Sequence, residues 1–269
     1  MTEPSQSDPW PVERWPDALD AALARTRGTL GRCIVLRETG STQDHARTAG
    51  IDPGTVVVAW RQTAGRGRLG RAWADTGTDG VAATFALPAA PPESLAMRSA
   101  VAVASAARRF LPGDACGIKW PNDVVVDGRK LAGILVERLD GTALVGIGMN
   151  VRQPSFPPPL DGHATSLAMH AAAPDRLDVL VALFEEIGIA FSAEEADIYR
   201  TYRALDRLSG RRCAFLTPEG TVEGLVEEVD PLRGLRVREG AGARFLPAAT
   251  TSVVPPASGS RYGGTDGSA

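Results

Sequence analysis

Cysteine is scarce and poorly placed for cross-linking: Cys33, Cys116 and Cys213 stand far apart in 269 residues, with no CxxC spacing. This excludes a disulfide framework and a cysteine zinc site, and leaves small apolar side chains of a reducing compartment. Histidine is equally thin. His45, His163 and His170 have no partner nearby in sequence, so neither a histidine metal cluster nor a paired base is expected, and loop or surface positions fit them. No apolar run reaches the ~18 residues that cross a membrane, and the N-terminus lacks the basic and apolar order of an export signal. A soluble, unexported, cytoplasmic chain with no membrane partner follows. Positive charge is not in excess either: 29 Lys and Arg face 32 Asp and Glu, net −3, so no general attraction to nucleic acid is expected.

With 43% hydrophobic and 23% charged residues, the chain affords a packed core. Its length suits one large unit and one small one, since single cores stop growing near ~250 to 300 residues. Residues 1–28 read as a tail and a first helix, 29–208 as the main unit, 209–255 as a small β unit and 256–269 as a Gly- and Ser-rich tail. The prolines within 1–16 extend the tail reading to that whole stretch. No internal repeat is visible. Helices are expected over 17–27, 41–49 with Ser41 as its cap, 93–110, 177–191 and 193–208. Strands are expected over 33–37, 55–60, 81–87, 117–120, 124–126, 131–138 and 143–151, with hairpin turns at Asp127-Gly128 and Asp140-Gly141. The fold class is therefore α+β: a mixed, largely antiparallel sheet with helices to one side. Short strands over 212–216, 221–229, 235–238 and 244–246 predict a small barrel at the C-terminus.

Two segments carry the chemistry. Lys119-Trp120-Pro121-Asn122-Asp123, followed by Lys130-Leu131-Ala132-Gly133, puts two lysines and a carboxylate beside an apolar hairpin. Cations so placed serve an anion. Upstream, Gly65-Arg66-Gly67-Arg68-Leu69-Gly70-Arg71-Ala72-Trp73 offers three arginines on a backbone too glycine-rich to be held by its own packing, as in a loop that closes over a ligand. Its glycines follow a strand without opening a helix, so a dinucleotide fingerprint does not fit.

Together with Gly40-Ser41-Thr42-Gln43 and Gly146-Ile147-Gly148-Met149-Asn150-Val151, these segments resemble the biotin protein ligases, over about residues 33–255. The resemblance implies a class II synthetase-like catalytic domain followed by an SH3-like C-terminal domain. It implies attack of the biotin carboxylate on the α-phosphate of ATP, aided by Mg²⁺, and transfer of biotin from biotinyl-AMP to a lysine of a biotin carboxyl carrier protein domain. Lys130 and Arg68 match the central catalytic positions. Ser41, Thr42, Gln43, Gln62, Arg66, Gly67, Arg68 and Lys130 match the biotin-binding positions, Gln43 standing where Asn is commoner. Arg66, Arg68, Arg71, Lys119, Asn122, Asp123, Lys130 and Asn150 match the adenylate-binding positions. Lys119 is open between reaching phosphate and pairing with Asp123 or Glu137. Asp123 is open between orienting Lys130 and placing Mg²⁺ through water, with no direct protein ligand to the metal. Fewer than ~40 residues precede the first motif, too few for the DNA-binding module some members carry. Which carrier is modified, and whether the enzyme is a monomer or homodimer, stays open. Two rivals remain: a lipoate or octanoate protein ligase, and a non-catalytic biotin-binding regulator docking through its C-terminal unit.

Overall fold

The computed structural model describes residues 12–75 and 77–254; the C-terminal tail and most of the expected N-terminal tail lie outside them. Helix α1 (Trp15–Leu23) leads into strand β1 (Arg32–Thr39), α2 (Thr42–Ala49) and β2 (Thr55–Gln62). The short strands β3 (Gly65–Arg66) and β4 (Ala72–Trp73) follow, then β5 (Gly80–Pro88) and α3 (Pro92–Arg108). Four strands come next: β6 (Cys116–Lys119), β7 (Asp123–Val126), β8 (Arg129–Leu139) and β9 (Thr142–Asn150). Beyond a long connection lie α4 (Arg176–Ser192), α5 (Glu195–Leu205), β10 (Arg212–Thr217), β11 (Gly220–Asp230), β12 (Gly234–Glu239), β13 (Gly242–Pro247) and β14 (Ser252–Val253).

Seven strands form the main sheet in the order β1-β2-β5-β9-β8-β7-β6, parallel only between β1 and β2. The mixed, largely antiparallel expectation is met. Its two faces are unequal, because side chains alternate along a strand. Val81, Ala83, Phe85 and Leu87 of β5 and Ala143, Val145, Ile147 and Met149 of β9 turn toward α1, α3 and α4 in one large apolar core. Small alanines along α3 let it lie close to the sheet. The opposite positions are small: Ala82 and Thr84 on β5, Gly146 and Gly148 on β9, Gly133 on β8. One end of this second face is covered by α2, over Ala46, Ile51, Val57, Ala86 and Leu144. Helices thus lie on both faces, correcting the one-sided reading; α2, short and polar, carried no strong sign of which face it would cover.

Local sequence sets the ends of α2. Ser41 Oγ accepts the Asp44 amide at 3.3 Å, and Gly50 takes the left-handed conformation, φ 58°, that closes the helix. The Asp127-Gly128 turn has positive φ at both residues, 48° and 74°, as a tight hairpin between β7 and β8 requires. Of the stretch read as an N-terminal tail, the described residues 12–16 are structured. Val12–Arg14 forms a 3₁₀ turn and Trp15 is fully buried.

The C-terminal strands make a five-stranded antiparallel sheet, β13-β12-β11-β10-β14. It encloses Phe215, Val226, Val237 and Leu246. It does not close into the expected barrel: β14 pairs only with β10, through two residues, and is too short to meet β13. No helix among the described residues is long and apolar enough to cross a membrane.

Candidate active site

The site lies on the second face, beyond the end that α2 covers. In the sheet register Gly148 stands between Ala82 and Gly133, while Gly146 stands between Thr84 and Leu135. This patch with little or no side chain forms a floor that a flat ligand can approach. A β-carbon at Gly148 would fall 2.6 Å from the Trp73 ring, so glycine there is required for the indole to lie on the floor.

The N-terminus of α2 supplies polar groups above the floor. The Thr42 amide and hydroxyl donate to Gln62 Oε1 at 2.9 and 3.2 Å, and Thr42 Oγ1 bonds Thr84 Oγ1 at 2.9 Å. Gln43, only 3% exposed, donates through Nε2 to Glu137 Oε2 at 3.0 Å and to Leu144 O at 3.3 Å. Its Oε1 has no partner. A buried orphan acceptor is unfavourable unless a ligand donor meets it. These groups and Trp73 line a narrow pocket of about 50 Å³.

Beyond Trp73 the pocket continues into a cavity of about 470 Å³. Lys119, Lys130, Arg68 and Arg71 bring positive charge to it, Asn122, Asp123 and Asn150 line it, and Trp120, Phe156, Leu160 and Val253 form an apolar wall. Asp123 organises the cations. Its Oδ1 lies 2.7 Å from Lys130 Nζ and its Oδ2 3.4 Å from Lys119 Nζ. Burial alone would raise its carboxyl, but the two ammonium charges outweigh burial and hold it below the ordinary carboxylate value. Lys130 Nζ also stands 5.4 Å from the Trp73 ring centroid, at the border of pocket and cavity. Arg68 donates to Asn122 Oδ1 at 3.2 Å, and Asn122 Nδ2 to Ile134 O at 2.8 Å. The Arg68 guanidinium is depressed by burial, with Arg71 adding to the effect and Asp123 opposing it.

The expected loop is more regular than glycine content implied. Strands β3 and β4 pair into a miniature hairpin around a 3₁₀ turn, and Gly67 N donates to Arg71 O at 2.7 Å. Arg66 does not join the lysines. It reaches across the narrow pocket to Asp44, at 2.6 and 3.2 Å, and to Glu137, at 3.0 and 3.3 Å. Glu137 also receives Arg47 and Gln43. Burial raises the Glu137 carboxyl, yet these donors hold it below its usual value. Asn150, 5% exposed, donates to Thr165 O at 2.9 Å, so it braces the connection after β9 while lining the cavity. Among the open alternatives, the geometry has Asp123 pairing both Lys119 and Lys130. Asp44 and Trp73 escaped the sequence reading as site residues, although Trp73 closes the Gly-Arg segment, and Glu137 entered it only as a candidate partner of Lys119.

Among the described residues no three His, Cys, Asp or Glu converge to hold a metal. Among the described residues lining the cavity Asp123 is the sole carboxylate, and it pairs with two lysines. In nucleotide sites Mg²⁺ is held mainly by phosphates, with few carboxylates.

A cationic cavity opening into a glycine-floored pocket, on a mixed sheet followed by a small β unit, suits a ligand with an anionic part and a flat, partly apolar part. Comparison with known proteins narrows the class. The model of the biotin/lipoate A/B protein ligase family matches residues 30–153. The biotin–[acetyl-CoA-carboxylase] ligase of Mycobacterium tuberculosis is 36% identical over 213 residues, 73% of this chain and 79% of that protein. The Paracoccus denitrificans enzyme of the same name is 31% identical over 240 residues, covering 80% and 98%. The Aquifex aeolicus biotin protein ligase, solved with biotin and ATP, superposes with a TM-score of 0.74 at 27% identity, covering 84% of this chain and 99% of that one. The chain belongs to the biotin protein ligases of this family.

Proposed function

We propose that the chain uses ATP to activate biotin and then biotinylates a lysine of a biotin carboxyl carrier protein domain. One observation carries the reading: a buried acceptor without a partner, Gln43 Oε1, stands over a glycine floor that leads to the Asp123-paired lysines. The ureido N–H groups of biotin complement that acceptor, its apolar bicycle suits the floor, and its carboxylate then extends toward Lys130.

A biotin carboxylate oxygen attacks the α-phosphorus of ATP, the bond to the pyrophosphate oxygen breaks, and pyrophosphate leaves. Two anions must meet, so fixed cations in a partly dry site lower the barrier. Lys130, a point charge with three donors at the border of the two spaces, bridges carboxylate and phosphate, and Arg68 holds the adenylate. Lys119, Arg71, Asn122 and Asn150 border the nucleotide. In the second step the carrier amine attacks the acyl carbon, AMP departs with the bonding electrons, and the amine proton passes to solvent. No nucleophile of this chain is needed. Mg²⁺, held through the nucleotide phosphates, would neutralise part of their charge. We assign the catalytic unit to 29–208 and the accessory β unit to 209–255, and a cytoplasmic location agrees with three unpaired thiols.

The test is transfer of labelled biotin to a purified carrier domain with and without ATP, alongside biotin-dependent pyrophosphate release. Activation of lipoate but not biotin would move the assignment to the sister ligases, and biotin binding without pyrophosphate release would leave a regulator.

A further inference from the structure

Arg176 opens α4 with no exposed surface, although a guanidinium is among the most unfavourable groups to take out of water. Its partners say what it does there. The guanidinium lies 4.9 Å from the Trp15 ring and 4.8 Å from the Trp60 ring, and the two rings are 5.1 Å apart. Nε donates to Gly80 O at 2.8 Å and Nη2 to Trp60 O at 2.6 Å. Trp60 lies near the end of β2 and Gly80 begins β5. Everything between them is the segment that carries Gln62, Arg66, Arg68, Arg71 and Trp73 into the site.

We infer that Arg176 is a positioning residue: it clamps both stems of the 61–79 segment at one fixed spacing, and so aims Arg68 and Trp73 at the cleft. The planar fork of a guanidinium presents donors in fixed directions, which a lysine ammonium on a flexible stem does not reproduce. The guanidinium lies against both indoles, and Trp15 extends the clamp to α1. A core filler alone would need no charge, since an apolar residue of similar volume fills such a space without the desolvation cost of a guanidinium. The role rests on reading 61–79 as the segment that closes over the adenylate.

The test compares wild type with Arg176→Met and Arg176→Lys. Site-resolved tryptic cleavage after Arg66, Arg68 and Arg71 is followed without ligand, and retention of the acyl-adenylate after mixing with biotin and ATP. For Arg176→Met we expect both cleavage in 61–79 and adenylate release to quicken about tenfold, the equivalent of about 1.4 kcal/mol. Cleavage elsewhere and the thermal midpoint should change little, and Arg176→Lys should fall between. Wild-type loop cleavage and adenylate retention in both variants would overturn the inference, as would a loss confined to the thermal midpoint. Should Arg176→Met fail to fold, Arg176→Lys is judged by the same two readouts. A wild-type enzyme that forms no adenylate would defeat the proposed reaction, while loop cleavage, needing no ligand, would still decide the clamp.

Discussion

Lys130 Nζ and Asp123 Oδ1 are 2.7 Å apart, and the same carboxylate pairs Lys119 on its other oxygen. Removing Asp123 takes away the carboxylate that two neighbouring cations share. Asp123→Asn should therefore lower unfolding free energy by about 3 kcal/mol, as when one partner of a buried pair is deleted. Because the folded carboxyl is held below 3.8, its contribution is fully present above that pH and is lost as pH falls through the lower folded value. Denaturant titrations should show the gap between variant and wild type constant from pH 5 to 8 and closing only below about 3.8. A gap that closes near neutrality would contradict the pairing.

Loss of the bridging charge should act on the chemical step. Lys130→Met is expected to reduce biotin-dependent pyrophosphate release by about 10²- to 10³-fold, the usual effect of deleting one preorganised donor to a developing charge. Single-turnover assays with saturating biotin and ATP check it. Arg68→Ala should instead speed release of the formed adenylate, leaving Lys130 in place; unchanged dissociation would refute that role.

Much of this was legible in the sequence because it was written in local rules. Ser41 set the start of α2 by capping chemistry, Asp127-Gly128 set a hairpin between β7 and β8, and the runs 81–87 and 143–151 announced β5 and β9. The Lys119 to Lys130 hairpin placed its cations side by side, since Asp123 follows four residues after Lys119 and faces Gly133 across the ladder. Long-range pairing was not legible. Arg66 meeting Glu137, Arg176 lying against the Trp15–Trp60 pair, and the failure of β14 to reach β13 depend on which segments the folded chain brings together. Their sequence neighbourhoods look like ordinary surface, core and linker.

The floor predicts a specific intolerance. A methyl at Gly148 would lie 2.6 Å from the Trp73 indole, and that ring has Gly133 beneath its other edge. Gly148→Ala should lift Trp73 out of the pocket, weaken biotin binding by at least about tenfold and alter tryptophan fluorescence, with little loss of fold. Calorimetry with biotin and an emission spectrum check both. Wild-type affinity with an unmoved spectrum would show that the indole does not depend on the bare floor.

A last prediction reverses a familiar sign. Replacing glycine with alanine inside a helix ordinarily stabilises it by about 0.5–1 kcal/mol, through lower backbone entropy in the unfolded chain. Gly188 sits within α4, where a β-carbon would meet the Thr26 backbone at 2.5 Å. Main chain cannot swing aside as a side chain does. The Thr26 segment is itself fixed, its hydroxyl bonding Leu23 O at 2.7 Å and Leu30 O at 3.1 Å. Overpacking of this kind costs about 1–3 kcal/mol and outweighs the helix gain. Gly188→Ala should thus lower the unfolding free energy, with the active site intact, whereas an unchanged or raised midpoint in chemical denaturation would mean that α4 and the turn after α1 are not in contact at this point.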